Sequence, residues 1–183
     1  AVAASFQKKS YTLYKNSGAK GSEKSDYTEN YKADGAVDTK TTYFYHITGN
    51  DAATASQANA DSYMTKSITA RGDASLKQVS YYLGAEAGEE YIDWSQEWNY
   101  TGLIAKTVTV YSNDAEGILL NSTVYKDKLG IAITSKPTAL QLAVAASFQK
   151  KSYTLYKNSG TKGSEKSDFT ENYKADGAVD TKT

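Results

Sequence analysis

The sequence predicts an all-β protein built from repeated β-hairpins that stack into an elongated sheet, solenoid or filament, with little helix. Three observations predict it. A near-exact internal repeat is typical of architectures in which each unit stacks on its neighbour. Short segments rich in Thr, Val and Tyr alternate with glycine turn signals. The hydrophobic share, 39%, is low for a compact globule but suits a thin sheet with a large surface.

The repeat joins the two ends of the chain. Residues 1–41 recur as residues 143–183, with Thr161 in place of Ala19 and Phe169 in place of Tyr27. Residues 1–142 therefore form one full unit, and 143–183 begin a second. Near-identity indicates recent duplication or a homogenised array, so we expect a window on a longer tandem-repeat polypeptide. The alternative is a complete, processed protein whose terminal copy has a role of its own.

A weaker repeat divides the unit into two diverged halves, about 1–66 and 67–142. Several pairs of segments match between the halves, and each half is expected to hold short strands joined by polar turns. The matched pairs are 26–31 with 93–98, 40–45 with 106–111, 50–52 with 113–115, 68–71 with 133–136, and Gly18 and Gly21 with Gly84 and Gly88.

Strands are predicted where Thr, Val and Tyr concentrate, because these side chains suit a pleated, half-buried surface. Two segments, 31–43 and 111–125, each have the strand, turn, strand pattern of a hairpin. Segment 52–66 is Ala-rich without an apolar stripe at helical spacing and predicts either a short helix or a long loop. The predicted strands are 41–45, 79–83 and 106–111, and the turns lie at 34–35, 102, 116–117 and 129–130.

The aromatic residues are mostly tyrosine: 16 Tyr against 4 Phe and 2 Trp. An isolated hairpin is marginal in water, but stacked hairpins bury the aromatic faces of their neighbours. A tyrosine ring supplies that contact while its hydroxyl stays hydrated at the edge. The alignment of Tyr27 with Trp94 and of Tyr31 with Trp98 predicts aromatic rows along the stack.

Composition excludes several classes of function. Lys plus Arg and Asp plus Glu both total 21, and this balance argues against a nucleic-acid binder, which needs a basic face. The absence of Cys excludes disulfides, thiolate metal sites and Cys nucleophiles, and a single His, His46, excludes sites that need two imidazoles. No apolar run approaches the roughly 20 residues that span a bilayer, and no signal peptide pattern is present. We expect no cofactor.

Segment 111–125 resembles a YD (RHS-type) repeat: an aromatic residue, then Asp-x-x-Gly, an aliphatic residue, a Ser/Thr pair and a Tyr. The similarity continues through 126–130, and 31–45 matches more loosely. The Tyr-Asp dipeptide of the family is missing, since Ser112 follows Tyr111 and Lys32 follows Tyr31, and the Gly-x-x-Gly-Ser-Glu segment 18–23 is an insertion. The unit is most similar to the diverged YD-like arrays of giant bacterial surface proteins. The resemblance implies hairpins wound into spirals or shells and an extracellular or cell-surface location; it implies no activity.

Two motifs are candidates for binding. Arg71, Gly72 and Asp73 form the tripeptide that integrins recognise, although Gly-Asp is also ordinary turn chemistry. Trp94 and Trp98, four residues apart, lie on one side of a strand or helix and could stack on a sugar. Their alignment with tyrosines favours instead a structural aromatic row.

The polar residues give weaker signals for chemistry. The acidic cluster of 86–97 could supply a carboxylate pair, but cations alternate with anions in the matching first-half stretch, which favours a solvated face. Calcium could bind Asp34, Asp38 or Asp114 near turns, yet no calcium-loop motif is present. His46 has no nearby nucleophile and is expected to be a surface or packing residue. Two glycosylation sequons begin at Asn99 and Asn121.

We therefore expect a non-catalytic structural or adhesive protein of the cell surface, which forms a fibre or sheath from a long tandem array. Its partners would be further repeats, joined covalently or by self-association, and glycans or another cell surface. One alternative is a short subunit that polymerises by strand exchange through its duplicated terminal segment. The other is a carbohydrate-binding surface module that uses Trp94 and Trp98.

Overall fold

The computed structural model describes residues 7–15, 20–157 and 160–183. These residues form twelve strands in one antiparallel sheet and one four-residue helix, which confirms the all-β class with little helix. In the described part of the chain, no helix has the length and apolar character needed to cross a membrane. The elements are β1 (Ser10–Lys15), β2 (Lys24–Tyr31), β3 (Val37–Ile47), β4 (Asn50–Ala53), β5 (Met64–Arg71), β6 (Leu76–Leu83), β7 (Tyr91–Trp98), β8 (Ala105–Asn113), β9 (Leu119–Asp127), α1 (Ala139–Leu142), β10 (Phe148–Lys157), β11 (Lys166–Tyr173) and β12 (Val179–Lys182).

The strands follow one another across the sheet in chain order, and each pairs antiparallel with the next. Only β4 lies off this path, where it pairs with the end of β3. The path begins at β1 and ends at β12, so the described sheet is elongated and has an open edge at each end.

Four hairpin turns of the sheet share one design. Between β2 and β3 the Gly35 amide donates to the Lys32 carbonyl, and the Lys32 amide donates to the Ala36 carbonyl. Gly35 takes a φ of 86°, the left-handed conformation that closes a three-residue hairpin loop. The same pair of bonds recurs between β5 and β6, β8 and β9, and β11 and β12. The hairpins predicted at 31–43 and 111–125 are confirmed.

A β-bulge follows each of these turns on the second strand. In β3, Val37 pairs with Tyr31 and Thr39 with Asn30, so Asp38 is left without a partner on β2. Bulges increase the local twist of a strand. The corresponding unpaired residues after the other three turns are Lys77, Leu120 and Asp180. Lys106 is left unpaired in the same way after the β7–β8 turn, which has a different loop.

Segment 52–66 is a loop between two strands and not a helix. Its first residues belong to β4, and β5 begins at Met64. The turns between them bury Ala55 and Ala58 against Tyr45, so the alanines serve as small packing residues. The helix of the structure is instead α1, which Thr138 caps by accepting a hydrogen bond from the Gln141 amide.

The two faces of the sheet carry different side chains. One, the tryptophan face, bears Trp94, Gln96 and Trp98 and is covered by residues 128–147, the cap segment. The other, the serine face, bears the buried hydroxyls of Ser67, Ser80, Ser95 and Ser122.

The aligned aromatic residues do not form the rows that the sequence suggested. Trp94 pairs with Tyr81 and Val110, whereas Tyr27 pairs with Leu13 and Thr42. Following the pairing from Tyr27 across the sheet leads to Gln96, two residues away from Trp94. Residues 133–136 lie in the cap segment, so their match to residues 68–71 of β5 is not a structural correspondence. Gly18, expected to match Gly84, lies outside the described residues.

Candidate functional site

The serine face is built from hydroxyl–tyrosine pairs that recur on alternate strand pairs. In each pair, a Ser or Thr on one strand bonds to a Tyr two residues beyond its direct partner on the next strand, which is the diagonal contact of an antiparallel pair. The pairs are Thr28 with Tyr43 (3.2 Å), Ser67 with Tyr82 (3.1 Å), Ser95 with Tyr111, and Ser122 with Tyr156 (3.5 Å).

The fourth of these pairs crosses the junction between the two repeat units. β10 belongs to the second copy and pairs with β9 of the first over seven residue pairs, from Phe148–Asp127 to Leu155–Asn121. The Tyr156 hydroxyl lies near Ser122 just as Tyr82 lies near Ser67 inside the unit. The junction is therefore constructed like an internal strand pair.

The second copy repeats the fold of the first. Ser10 pairs with Asn30 in the first copy, and Ser152 pairs with Asn172 in the second. Both strand pairs bulge at the same point, between a Leu and a Tyr, and a threonine pair joins both, with hydroxyl oxygens 2.9 Å apart. The threonines are Thr12 with Thr28 and Thr154 with Thr170.

A Gly-x-Glu loop fastens strands at two places in the sheet, once inside the first unit and once at the junction. The Glu90 carboxylate accepts the Gly88 amide of its own loop (2.9 Å) and the Met64 amide of β5 (2.7 Å). Glu165 accepts the Leu119 amide of β9 (3.1 Å), and backbone amides, chiefly its own and that of Leu119, hold the pKa of its carboxyl below the ordinary value. These glutamates thus fasten a loop to the start of the strand two positions back in the sheet.

The loop that carries Glu165 also contacts the β6–β7 loop of the first copy. The Lys162 ammonium donates to the Glu89 carbonyl (2.5 Å) and lies 3.3 Å from the Glu89 carboxylate. It also lies over the Tyr91 ring. The second copy is therefore attached to the first by β10, by Glu165 and by Lys162.

The tryptophans of the proposed sugar platform are buried. Trp94 is 3% exposed and stacks on Tyr81 with ring centroids 4.1 Å apart, and Trp98 is 9% exposed. Trp94 still lines an open groove of about 630 Å³ together with Tyr81, Lys66 and Thr134. Both rings are packing residues, but they do not stand in the aromatic row that their alignment with tyrosines favoured, and sugar binding stays a prediction.

Gln96, between the tryptophans, fixes the cap segment. Its amide nitrogen donates to the Asp127 carboxylate (3.0 Å) and to the Ile131 carbonyl (2.7 Å). Its amide oxygen accepts the Ile133 amide (3.0 Å). Sequence reasoning missed this residue, because a lone glutamine between two tryptophans gives no signal of its partners far along the chain.

The Arg71-Gly72-Asp73 tripeptide forms the turn between β5 and β6. The Arg71 guanidinium donates to the Leu76 carbonyl (2.7 Å) and the Trp98 carbonyl (3.2 Å), so it joins three neighbouring strands. Asp73 accepts the amide and hydroxyl of Ser75, and these bonds hold the pKa of its carboxyl below the ordinary value. Both charged side chains thus have structural bonds within or beside the turn, and recognition by an adhesion receptor stays a prediction.

The acidic residues of 86–97 are not brought together as a site. Glu89, Glu90 and Glu97 accept bonds in different places, and Asp93 pairs with Lys136 of the cap segment. Over residues 7–15, 20–157 and 160–183, no three His, Asp or Glu side chains cluster as metal ligands. Two of the three carboxylates considered for calcium serve turns: Asp34 accepts the amide of Ala36, and Asp114 accepts the amides of Glu116 and Ile118.

His46 packs at the surface. Its ring stacks on Tyr63 with centroids 4.7 Å apart, and its Nδ1 lies 2.5 Å from the Asp51 carboxylate. The sequon residue Asn99 uses its side-chain oxygen to accept the amides of Leu103 and Ile104 in the β7–β8 turn.

Neither a protein-family model nor a curated protein sequence matches this chain. The hydroxyl–tyrosine pair, which recurs inside the unit and at the junction between units, is therefore the candidate functional feature. The sequence signal for the hydroxyl–tyrosine pairs is a Ser/Thr-x-Tyr spacing on the strands that carry their tyrosines. The segments that supply the four tyrosines are 41–43, 80–82, 109–111 and 154–156.

Proposed function

We propose that this protein is a non-catalytic structural and adhesive protein of the cell surface, in which tandem units build one continuous β-sheet fibre or sheath. One observation carries the proposal. The strand that begins the second copy joins β9 with the same hydroxyl–tyrosine pair and the same kind of glutamate anchor that join strands inside the unit. A junction of this kind lets a sheet grow by repetition alone.

The resemblance of 111–125 to YD repeats supports the cell-surface location, since members of that family are large, secreted or surface-exposed hairpin proteins. Repetition also suits adhesion, because many weak contacts on one long chain act together. We expect the adhesive contacts to be made with glycans or another cell surface. Treating intact producing cells with protease should then degrade the protein before cytoplasmic markers are lost.

The test of the structural role is a series of chains with one, two and three copies of 1–142, each followed by 143–183. Eight of the described strands on the sheet path lie within 1–142. At about 4.8 Å per strand, each added unit lengthens the sheet by roughly 38 Å. Small-angle scattering should show the maximum dimension rising by a constant increment of about this size, reduced by twist.

Units that behave as separate beads would contradict the proposal. Their maximum dimension would change irregularly with copy number, and each unit would unfold at the same denaturant concentration regardless of its neighbours. A continuous sheet instead gains stability with each added unit, because every junction adds a strand pair. Chemical denaturation of the same series measures this.

A further inference from the structure

The two copies of one strand differ in exposure. Segment 10–15 of β1 and segment 152–157 of β10 have the same sequence, SYTLYK. Tyr14 is 57% exposed and Tyr11 is 40% exposed, whereas their counterparts Tyr156 and Tyr153 are half-buried. The difference comes from β9, which pairs with β10, whereas among the described residues no strand pairs with β1 on that side.

The backbone of β1 presents free bonding groups at this edge. The amide and carbonyl of Thr170 both bond to Thr183, so neither is directed at Thr154, and the bonding groups of Thr154 face β9. The Thr12–Thr28 pair has the same geometry, so the amide and carbonyl of Thr12 face outward from the sheet. Exposed groups of this kind form a template for another strand.

Residues 21–23, which precede β2, resemble residues 163–165, which precede β11 and anchor the second copy. The Glu23 carboxylate accepts the Gly21 amide (2.8 Å), and Gly21 and Gly163 take φ values of 89° and 84°. Glu23 and Lys20 are the sequence counterparts of Glu165 and Lys162, which bind β9 and the β6–β7 loop. The edge is therefore arranged for a specific strand.

We propose that the β1 edge, with Lys20 and Glu23, is a docking site for strand β9 of a second copy of this chain. β9 binds β1 in the register in which it binds β10: Val124 faces Ser10, and the Ser122 hydroxyl meets Tyr14. This inference rests on the proposed function, for it supplies a contact by which separate chains extend one sheet. It requires that β9 of the second copy be released from its own β10.

The test uses full-length chains with prolines, which remove a backbone donor at each substituted position. Ser152→Pro with Thr154→Pro weakens the hold of β10 on β9 and leaves β1 intact. The weight-average mass in sedimentation equilibrium should rise with concentration beyond that of a dimer. Adding the matched pair Ser10→Pro and Thr12→Pro, whose amides face solvent in the single chain, should return the protein to a monomer.

A monomeric Ser152→Pro/Thr154→Pro chain would overturn the inference, as would association that persists after the β1 prolines are added. Register is tested on the same background, since the chain has no native Cys. Mixed chains with Val124→Cys and with Ser10→Cys should form an intermolecular disulfide, whereas Ser122→Cys with Ser10→Cys should not; a reversed pattern would contradict the register. The two proposals can fail separately. If the Ser152→Pro/Thr154→Pro chain is a monomer while the maximum dimension of the tandem series rises by a constant increment, this inference is wrong and the proposed function is supported.

Discussion

The tyrosines of this chain satisfy buried hydroxyls as well as filling space. Ser67, Ser95 and Ser122 are buried in the sheet, and each bonds to a tyrosine of the following strand. A buried hydroxyl left without a partner costs about 1–3 kcal/mol. In the described part of the chain no buried side-chain polar atom lacks a partner. This explains why tyrosine, rather than phenylalanine, stands at these positions of the serine face.

Tyr45 gives a prediction at this scale. It is 6% exposed, its hydroxyl donates to the Ser25 carbonyl (2.7 Å), and burial, with Tyr43 and Glu90 nearby, raises its pKa to about 12. An unfolded tyrosine loses its proton near pH 10. Between pH 10 and 12 the unfolded state therefore holds fewer protons than the folded state, and stability falls as pH rises, by an amount on the order of 2 kcal/mol.

Tyr45→Phe removes this dependence. At neutral pH the variant should be less stable than the parent by about 1 kcal/mol, the usual value of a lost hydrogen bond. Above pH 10 the difference should shrink and then reverse, because only the parent loses the contribution of this hydroxyl. Urea unfolding at neutral and at alkaline pH measures both values, and a difference that stays constant with pH would count against the assignment.

At the scale of elements, one turn design recurs along the sheet. Lys32, Arg71 and Asp114 each begin a turn in which the fourth residue is left-handed. Glycine occupies that position in two of these turns, as Gly35 and Gly117, and Ala74 occupies it in the third with a φ of 68°. Ala74 is the one non-glycine residue with positive φ in the part of the chain that the structure describes.

The turn alignment predicts opposite effects for two substitutions. Ala74→Gly should stabilise the protein by about 0.5–1 kcal/mol, since an L-residue pays a steric cost in this conformation that glycine avoids. Gly35→Ala should destabilise it by about 1 kcal/mol, because the site has open space and only the backbone conformation opposes the methyl group. Thermal unfolding of both variants checks the prediction, and effects of the same sign would show that the two turns are not equivalent.

The hairpins were predictable because their signals are local. Gly35 and Gly117 mark the turns, and Thr and Tyr mark the flanking strands. The hydroxyl–tyrosine pairs were not predicted, because a diagonal contact such as Ser67–Tyr82 depends on register, which the bulges set. The spacing that places Trp94 and Trp98 on one face does not reveal which face the cap segment covers, since that depends on the distant bonds of Gln96.

At the scale of the whole molecule, the sheet is most deeply buried near its middle. Ser95, Gln96 and Val108, on β7 and β8, are fully buried. Gln96 and Val108 lie under the cap segment, and Ser95 bonds to Tyr111 on the serine face. All four residues of β12 are exposed, and β1 has one neighbour only. We expect stability to local opening to fall from the middle toward both edges, since edge strands bury fewer contacts.

The two copies of SYTLYK provide an internal measurement of what one neighbouring strand contributes. Their unfolded exchange rates are the same because their sequences are the same, so any difference in amide hydrogen exchange reports the fold alone. The outward amide of Thr12 should exchange rapidly, whereas that of Thr154, bonded toward β9, should be protected. Nuclear magnetic resonance is required, because peptides from residues 1–15 and 143–157 have the same mass. Equal protection of the two amides would have one of two causes: β9 does not pair with β10 in solution, or another chain already occupies the β1 edge. Measuring exchange after dilution separates them, because only occupation by another chain depends on concentration.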